Sequence, residues 1–362
     1  MRVFRTANSL PEPGNAPTSG ATQPAAFPTD RTDELIERLL QSAGSLQNPD
    51  LVREMVATAL KAGRDCDSRA DLKLMNSTLK EMRFTAKVFG AYRGIRKVTV
   101  FGSARTPSGD PAYRMAVDLG RVLADQNYMV ITGGGPGIMQ AANEGAGAEQ
   151  SFGVRIRLPF EPGSNHVLEN NPRLINYKYF FNRKVAFIKE ADAVVLFPGG
   201  FGTLDEAMET LTLVQTGKRY PLPLILIEPP GGTYWASKLD FMQRELLALG
   251  YIDAADLELF RTVHTPMEAV GEINRFYNRY HSMRFVGDRL VMRLSRPLGE
   301  MRLRELETSF ADLLAPGGRI TSSAALPQEA NEPELAGLQR LLIDFNKKDF
   351  ARLRTLIDAL NM

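Results

Sequence analysis

Cysteine is almost missing from this chain. The one thiol in 362 residues, Cys66, cannot form an internal disulfide, which fits a reducing compartment. It falls in a polar stretch, residues 64–69, remote from the glycine-rich segments, and reads as structural or incidental rather than nucleophilic. Histidine is scarce too. His166, His264 and His281 are scattered, and none has a ligand spacing with another His, with Cys or with Asp, so no metal is expected. No apolar run reaches bilayer-spanning length, and a net charge of +2 is too small to imply a general nucleic-acid or membrane surface. The start of the chain lacks both the apolar core of a signal peptide and the Arg-rich amphipathic pattern of a transit peptide, so the cytoplasm is the expected location. With 44% apolar and 24% charged residues, the composition is that of a globular protein with at least one sizeable core.

Glycine, in contrast, is concentrated where it matters. Pro198-Gly199-Gly200-Phe201-Gly202-Thr203-Leu204-Asp205-Glu206 turns an apolar, strand-like run over 193–197 directly into a helix. Such a junction offers backbone N–H groups and the positive end of a helix to an anion, with Thr203 expected as N-cap and Glu206 just inside the helix. A second loop, Thr132-Gly133-Gly134-Gly135-Pro136-Gly137, follows the apolar run 128–131 and precedes an alanine-rich helix over 140–148. Two phosphate-type loops in one sheet point to one composite site. The spacing is not G-x-G-x-x-G, and no acidic residue closes the next strand, so an ordinary dinucleotide dehydrogenase is not expected.

The two motifs GGGPGIMQAANEGA and PGGFGTLDE, with Arg183-Lys184 between them, resemble the Lonely Guy (LOG) family over roughly residues 97–281. The family pattern P-G-G-x-G-T-x-x-E is met at each fixed position. Members were often labelled lysine decarboxylases; the activity that the resemblance implies is phosphoribohydrolysis of nucleoside 5′-monophosphates, AMP or cytokinin ribotides. It further implies Arg183 and Glu206 as the catalytic pair, no cofactor, and a homodimer or higher homo-oligomer. Decarboxylation with pyridoxal phosphate would need a Schiff-base lysine in a suitable fold, for which the sequence gives no independent support. The same loops would also serve a non-catalytic protein that binds or senses a nucleotide or phosphorylated cofactor.

Along the chain, residues 1–30 are rich in Pro, Ala, Thr and Gly and read as a flexible tail. Residues 31–95 carry helical apolar spacing and form a helical extension. Over 96–282, strands at 98–101, 128–131, 153–158, 193–197 and 222–227 alternate with helices at 111–126, 140–148, 177–190, 204–216, 235–249 and 267–280. That is an α/β pattern, a Rossmann-like doubly wound parallel sheet whose site lies at the C-terminal strand ends. Residues 283–362 form an α+β appendage: a strand over 284–295, a helix over 301–314, a turn-rich linker from Pro316, and a final helix over 334–360.

Cleavage of an N-glycosidic bond requires stabilisation of positive charge on the ribose and a water at its anomeric carbon. Glu206 is assigned to the ribose side, and Arg183 to the anionic substrate or the leaving base. Gly199, Gly200, Gly202 and Thr203 are read as the phosphate cradle. Gly133, Gly134, Gly135 and Gly137 form the neighbouring wall, Gly102 and Ser103 end the first strand in the same row, and Lys184, on another side of the helix from Arg183, is a substrate-binding residue of less weight. Asp205 is expected to interact with the helix dipole rather than to pair with Glu206. Trp235, Tyr177, Tyr179, Phe180 and Phe181 are either core residues or stacking partners for a base.

Overall fold

The computed structural model describes residues 29–157 and 163–362. The tail expected over 1–30 lies outside them, except for its last two positions, which open the first helix. The chain divides into two compact units, one ending at Met75 and the other spanning Asn76–Met362. In the first, α1 (Thr29–Ser42) and α2 (Pro49–Asp65) are amphipathic helices joined by Arg53, whose guanidinium lies 2.6 Å from Glu37 and 3.5 Å from Asp33. The helix α3 (Arg69–Gly90) starts in this unit and ends in the second.

The second unit begins with alternating strands and helices: β1 (Lys97–Phe101), α4 (Pro111–Asp125), β2 (Met129–Thr132), α5 (Ile138–Ala146), β3 (Ser151–Ile156), β4 (Leu174–Tyr177), α6 (Phe180–Lys189), β5 (Ala193–Leu196), α7 (Phe201–Gln215), β6 (Leu224–Ile227), α8 (Tyr234–Phe241), β7 (Phe260–Val263) and α9 (Pro266–Phe276). The seven strands form one parallel sheet in the order β4-β3-β2-β1-β5-β6-β7. Both sheet faces are covered, so the strands read as unbroken apolar runs and the period-2 alternation divides their side chains between two cores. Val98, Val100, Val130, Val195 and Ile225 pack toward α4, α5 and α9. Phe101, Ile131, Val194, Leu196 and Leu226 face the other way, toward Phe89 of α3, Phe187 of α6 and Ala207 of α7. From β1 the chain builds outward to β4 and then returns to lay β5 on the other side of β1. The strand order therefore reverses between β1 and β5, and a doubly wound sheet opens its ligand crevice at that point. The expected doubly wound class is present, with β4 and β7 as two strands that the sequence reading left out.

The C-terminal part differs more from expectation. The strand read over 284–295 is a hairpin, β8 (Tyr280–Val286) and β9 (Arg289–Leu294), turning at Gly287 with φ 58°. After α10 (Glu300–Ser309), the turn-rich linker contains β10 (Ile320–Ser323). The long final helix does not form: it is replaced by β11 (Gln339–Ile343) and α11 (Phe350–Asn361). Pairing decides this. Leu341, Leu342 and Ile343 register antiparallel with Met292, Val291 and Leu290, giving a four-stranded sheet in the order β10-β11-β9-β8. The carboxamide oxygen of Asn346 accepts from the Lys348 N–H at 2.9 Å and Lys347 takes φ 62°, a local turn that ends the strand before α11 begins. Leu353, Leu356, Ile357 and Leu360 of α11 are fully buried in the core under this sheet. Among the described residues, no helix is long and apolar enough to cross a membrane.

Candidate functional site

The loops that follow β1, β2 and β5 meet at the switch point, and one residue ties them together. Ser103 donates its N–H to the Pro198 carbonyl at 3.1 Å and accepts from the Ile138 N–H at 3.1 Å. The segment after β1 is thereby bonded to both glycine loops. Gly137 takes φ +67°, and a side chain there would overlap the Ser103 carbonyl oxygen and lie 2.7 Å from the Ala104 carbonyl carbon. The main chains touch, which only glycine permits. Gly102 sits directly against the Ile138 side chain. The Tyr234 hydroxyl donates to the Gly199 carbonyl at 2.7 Å, fixing the start of the second glycine loop from α8.

The triple-glycine loop is held from behind by a polar network that the sequence reading missed. The Thr132 hydroxyl donates to the Asn143 carboxamide oxygen at 2.7 Å and accepts from the Gly134 N–H at 3.0 Å. Asn165 donates to the same oxygen at 3.1 Å and to the Gly135 carbonyl at 3.2 Å, while its own N–H donates to the Gly134 carbonyl at 2.9 Å. Buried asparagines beside glycine turns are the one signal that marks these residues in the sequence. Arg183, on α6, donates Nε to the Val154 carbonyl at 3.0 Å and lies over the Phe187 ring at 5.0 Å. Its guanidinium presses on Gly133, where a Cβ would be 2.7 Å from Nη2. Arg183 and the triple-glycine loop therefore share one wall.

The second glycine loop runs into α7 three residues earlier than expected. Gly200 is the N-cap, and Thr203 is a buried residue of the first turn packed against Gly199. Helix geometry leaves the N–H groups of residues 201 and 202 without partners inside the helix. Nothing lies within 4 Å of where a Cβ would stand at Gly200 or Gly202, so this side of the loop faces open space. Glu206 follows one turn on, 6% exposed. Burial pushes its carboxyl up to about 7, against the pull of Lys184 and Arg183 toward ionisation. Lys184 Nζ reaches across from α6 to Asp205 at 2.8 Å, Glu209 at 2.8 Å and Glu206 at 3.4 Å. Lys184 and Asp205 both belong to the charge cluster around Glu206. The spacing Asp205, Glu206, Glu209 along one helix was its sequence signal. Burial acts to lower the Lys184 pKa, but hydrogen bonds to Asp205 and Glu209, together with the Glu206 charge, hold it above the usual lysine range.

Trp235 and Tyr177 are core residues, not stacking platforms. Both are buried, Trp235 donating Nε1 to the Ile227 carbonyl at 3.2 Å and Tyr177 bonded to Thr85 at 2.5 Å. Phe180 and Phe181 are half exposed at the start of α6, with Tyr179 stacked on Phe181 at 5.4 Å. His166 lies 3.8 Å from Glu144, His264 beside the Glu228 carbonyl and His281 beside Ser282, so the three histidines stay apart.

Residues 138–273, from α5 through most of α9, match the family model described as "Possible lysine decarboxylase". Among curated proteins, the chain is 27% identical over 186 residues to the cytokinin riboside 5′-monophosphate phosphoribohydrolase LOG3 of Arabidopsis thaliana, covering 50% of this chain and 83% of that one. It is 28% identical to LOG4 of the same plant, covering 44% and 74%. Among solved structures, the X-ray structure of TM1055 is 27% identical with a TM-score of 0.36, covering 50% of this chain and 99% of that one. The molybdenum cofactor binding protein of Rippkaea orientalis is 20% identical with a TM-score of 0.35, covering 50% and 94%. The matched segment holds α5, Arg183, Lys184 and the PGGFGTLDE loop, and over that segment the chain is similar to the lysine-decarboxylase-like family of the LOG proteins.

Proposed function

We propose that this protein hydrolyses the N-glycosidic bond of a nucleoside 5′-monophosphate, releasing the free base and ribose 5-phosphate. The observation that carries the reading is Glu206, a buried carboxyl held near neutrality one turn inside the helix whose open N-terminus is the expected anion site. A 5′-phosphate on the N–H groups at the start of α7 fixes the ribose, and the anomeric carbon then faces Glu206. As the bond to the base breaks, its electron pair leaves with the base and positive charge grows on the ribose. The Glu206 carboxylate opposes that charge and takes a proton from the attacking water. Arg183, with a charge that persists at any working pH, holds the anionic substrate or polarises the leaving base. The curated relatives are named for cytokinin riboside 5′-monophosphate, and AMP shares the 5′-phosphate and ribose on which this reading rests. A lysine decarboxylase reading finds no support at these loops, because Lys184 is held as a cation by three carboxylates and a Schiff base starts from a neutral amine.

Self-association belongs to the same proposal. Phe180, Phe181 and Val185 on α6 and Phe201 and Met208 on α7 leave apolar surface exposed around the site. Light scattering of the purified chain tests this, and a monomer overturns it.

Chromatographic detection of base release from a panel of nucleoside monophosphates, beside their nucleosides, tests the reaction. Cleavage of AMP or a related monophosphate is expected, with kcat/KM for the nucleoside lower by about a hundredfold or more, the loss of two charge-assisted hydrogen bonds at roughly 1.5–3 kcal/mol each. Equal cleavage of adenosine and AMP contradicts the phosphate placement. Tight binding with no base release from any monophosphate makes the protein a nucleotide binder instead.

A further inference from the structure

At the end of the parallel sheet opposite the glycine loops lies a cavity of about 420 Å³. Its walls come from both halves of this unit: Asp192 just before β5, residues 219–222 just before β6, Tyr277 after α9, residues 280–284 on β8, Arg293 on β9, and Glu332. Cations dominate it. Arg219, Arg284 and Arg293 line the space, and the two carboxylates present are already engaged. Glu332 takes Arg284 at 2.6 Å and Arg293 at 2.5 Å, and Asp192 accepts the Lys97 N–H at 2.8 Å. Arg219 has no carboxylate partner among the described residues; its Nη2 donates to the Ala191 carbonyl at 2.5 Å, and its Nε is buried without a hydrogen-bond partner. Behind the wall, Arg96 stacks on the Tyr277 ring at 4.0 Å, adding a further cation. Burial lowers the His281 pKa, and Arg96, Arg293 and Arg340 lower it further, which reports a positive field where His281 lines the cavity.

A polar cavity with surplus arginine, buried donors and tyrosine walls is built for a small multiply charged anion. We infer that this cavity is a second ligand site, separate from the proposed catalytic one, for a small phosphorylated anion held by Arg219 and Arg284. Strand β5 lies between the two, and its four residues at about 3.3 Å each keep them roughly 13 Å or more apart, so the two sites can be filled together.

Titration calorimetry of the full chain with inorganic pyrophosphate tests the inference, with AMP as a second arm to distinguish a bare phosphoryl anion from a nucleotide. Saturable binding is expected that persists in Arg183→Ala and weakens at least tenfold in Arg219→Ala. Ser282→Glu, which places a carboxylate in the cavity without removing an arginine, should weaken it to the same degree, and keeps the test open should Arg219→Ala fail to fold. Base release should remain near wild type in both cavity variants. Absence of saturable pyrophosphate binding overturns the inference, whatever AMP does at the proposed catalytic site. So does binding that survives in Ser282→Glu or disappears in Arg183→Ala.

Discussion

Lys184 Nζ stands 3.4 Å from Glu206 Oε2 while holding Asp205 and Glu209 at 2.8 Å each, so one ammonium from α6 gathers three carboxylates of α7. The contact to Glu206 is the long one. Glu206 Oε2 is buried without a well-aligned hydrogen bond.

Replacing Lys184 by Met removes the largest charge that favours ionisation of Glu206. The carboxyl should then rise above about 7, and fewer molecules carry the carboxylate at neutral pH. We expect kcat/KM at pH 7 to fall about tenfold or more, with the acidic limb of its pH profile displaced upward. A pH profile unchanged in Lys184→Met would show that the ammonium does not tune Glu206.

Glu206→Gln keeps the shape and removes the charge, so turnover should fall by orders of magnitude while monophosphate binding survives. The same variant makes a stability prediction. Between the ordinary value of 4.5 and about 7 the folded protein holds a proton that the unfolded chain has lost, so this stabilisation is complete below 4.5 and declines as pH rises through about 7. Glutamine has no proton to lose. The melting temperature of Glu206→Gln relative to wild type should therefore be higher at pH 8 than at pH 5, by an energy of up to about 3 kcal/mol. An equal difference at both pH values would mean that Glu206 is not held protonated by burial.

Two glycines separate folding from binding. Gly137→Ala drives a methyl group into the Ser103 main chain at positive φ and should cost about 2 kcal/mol or more, seen as a lower melting temperature. Gly200→Ala, at φ −87° with open space around it, should melt like wild type and act only on substrate, raising KM. If Gly200→Ala lost stability and kept KM, the cradle assignment would be wrong.

The appendage is fastened by a buried ion pair between Arg354 of α11 and Glu272 of α9, both almost fully buried. Removing Arg354 leaves the buried Glu272 with only the exposed Arg275 as a counter-charge, so Arg354→Ala should destabilise the fold by up to roughly 3–5 kcal/mol. Arg354→Met combined with Glu272→Leu should recover much of the loss. Denaturant titration of the three proteins checks this, and a double variant no better than the single one would show that packing, not charge, is at stake.

The parallel sheet was legible because its strands are buried on both faces, which makes 98–101, 128–131 and 193–197 uninterrupted apolar runs ending in glycine. The edge strands β4 and β7 lack that signature. Their four-residue segments are only partly buried, and in 174–177 a polar Asn176 breaks the apolar run. The final helix was misread because apolar residues at 341–345 fit a helical period as well as a strand. Pairing with β9 chose the strand, and no local signal carries that choice.

By itself the sequence determined the two glycine loops, the helix that follows each, and Glu206 just inside the second, since these depend on local backbone chemistry and residue spacing. Tertiary structure alone decided that Lys184 rather than a more distant cation faces Glu206, and that Ser103 joins both loops. It also set the acidity of Glu206, which comes from burial beneath elements far apart in the chain. Spacing along one helix fixes which residues share a face, but the charge that meets that face across a packed interface comes from a different helix, and only the folded core brings the two within reach.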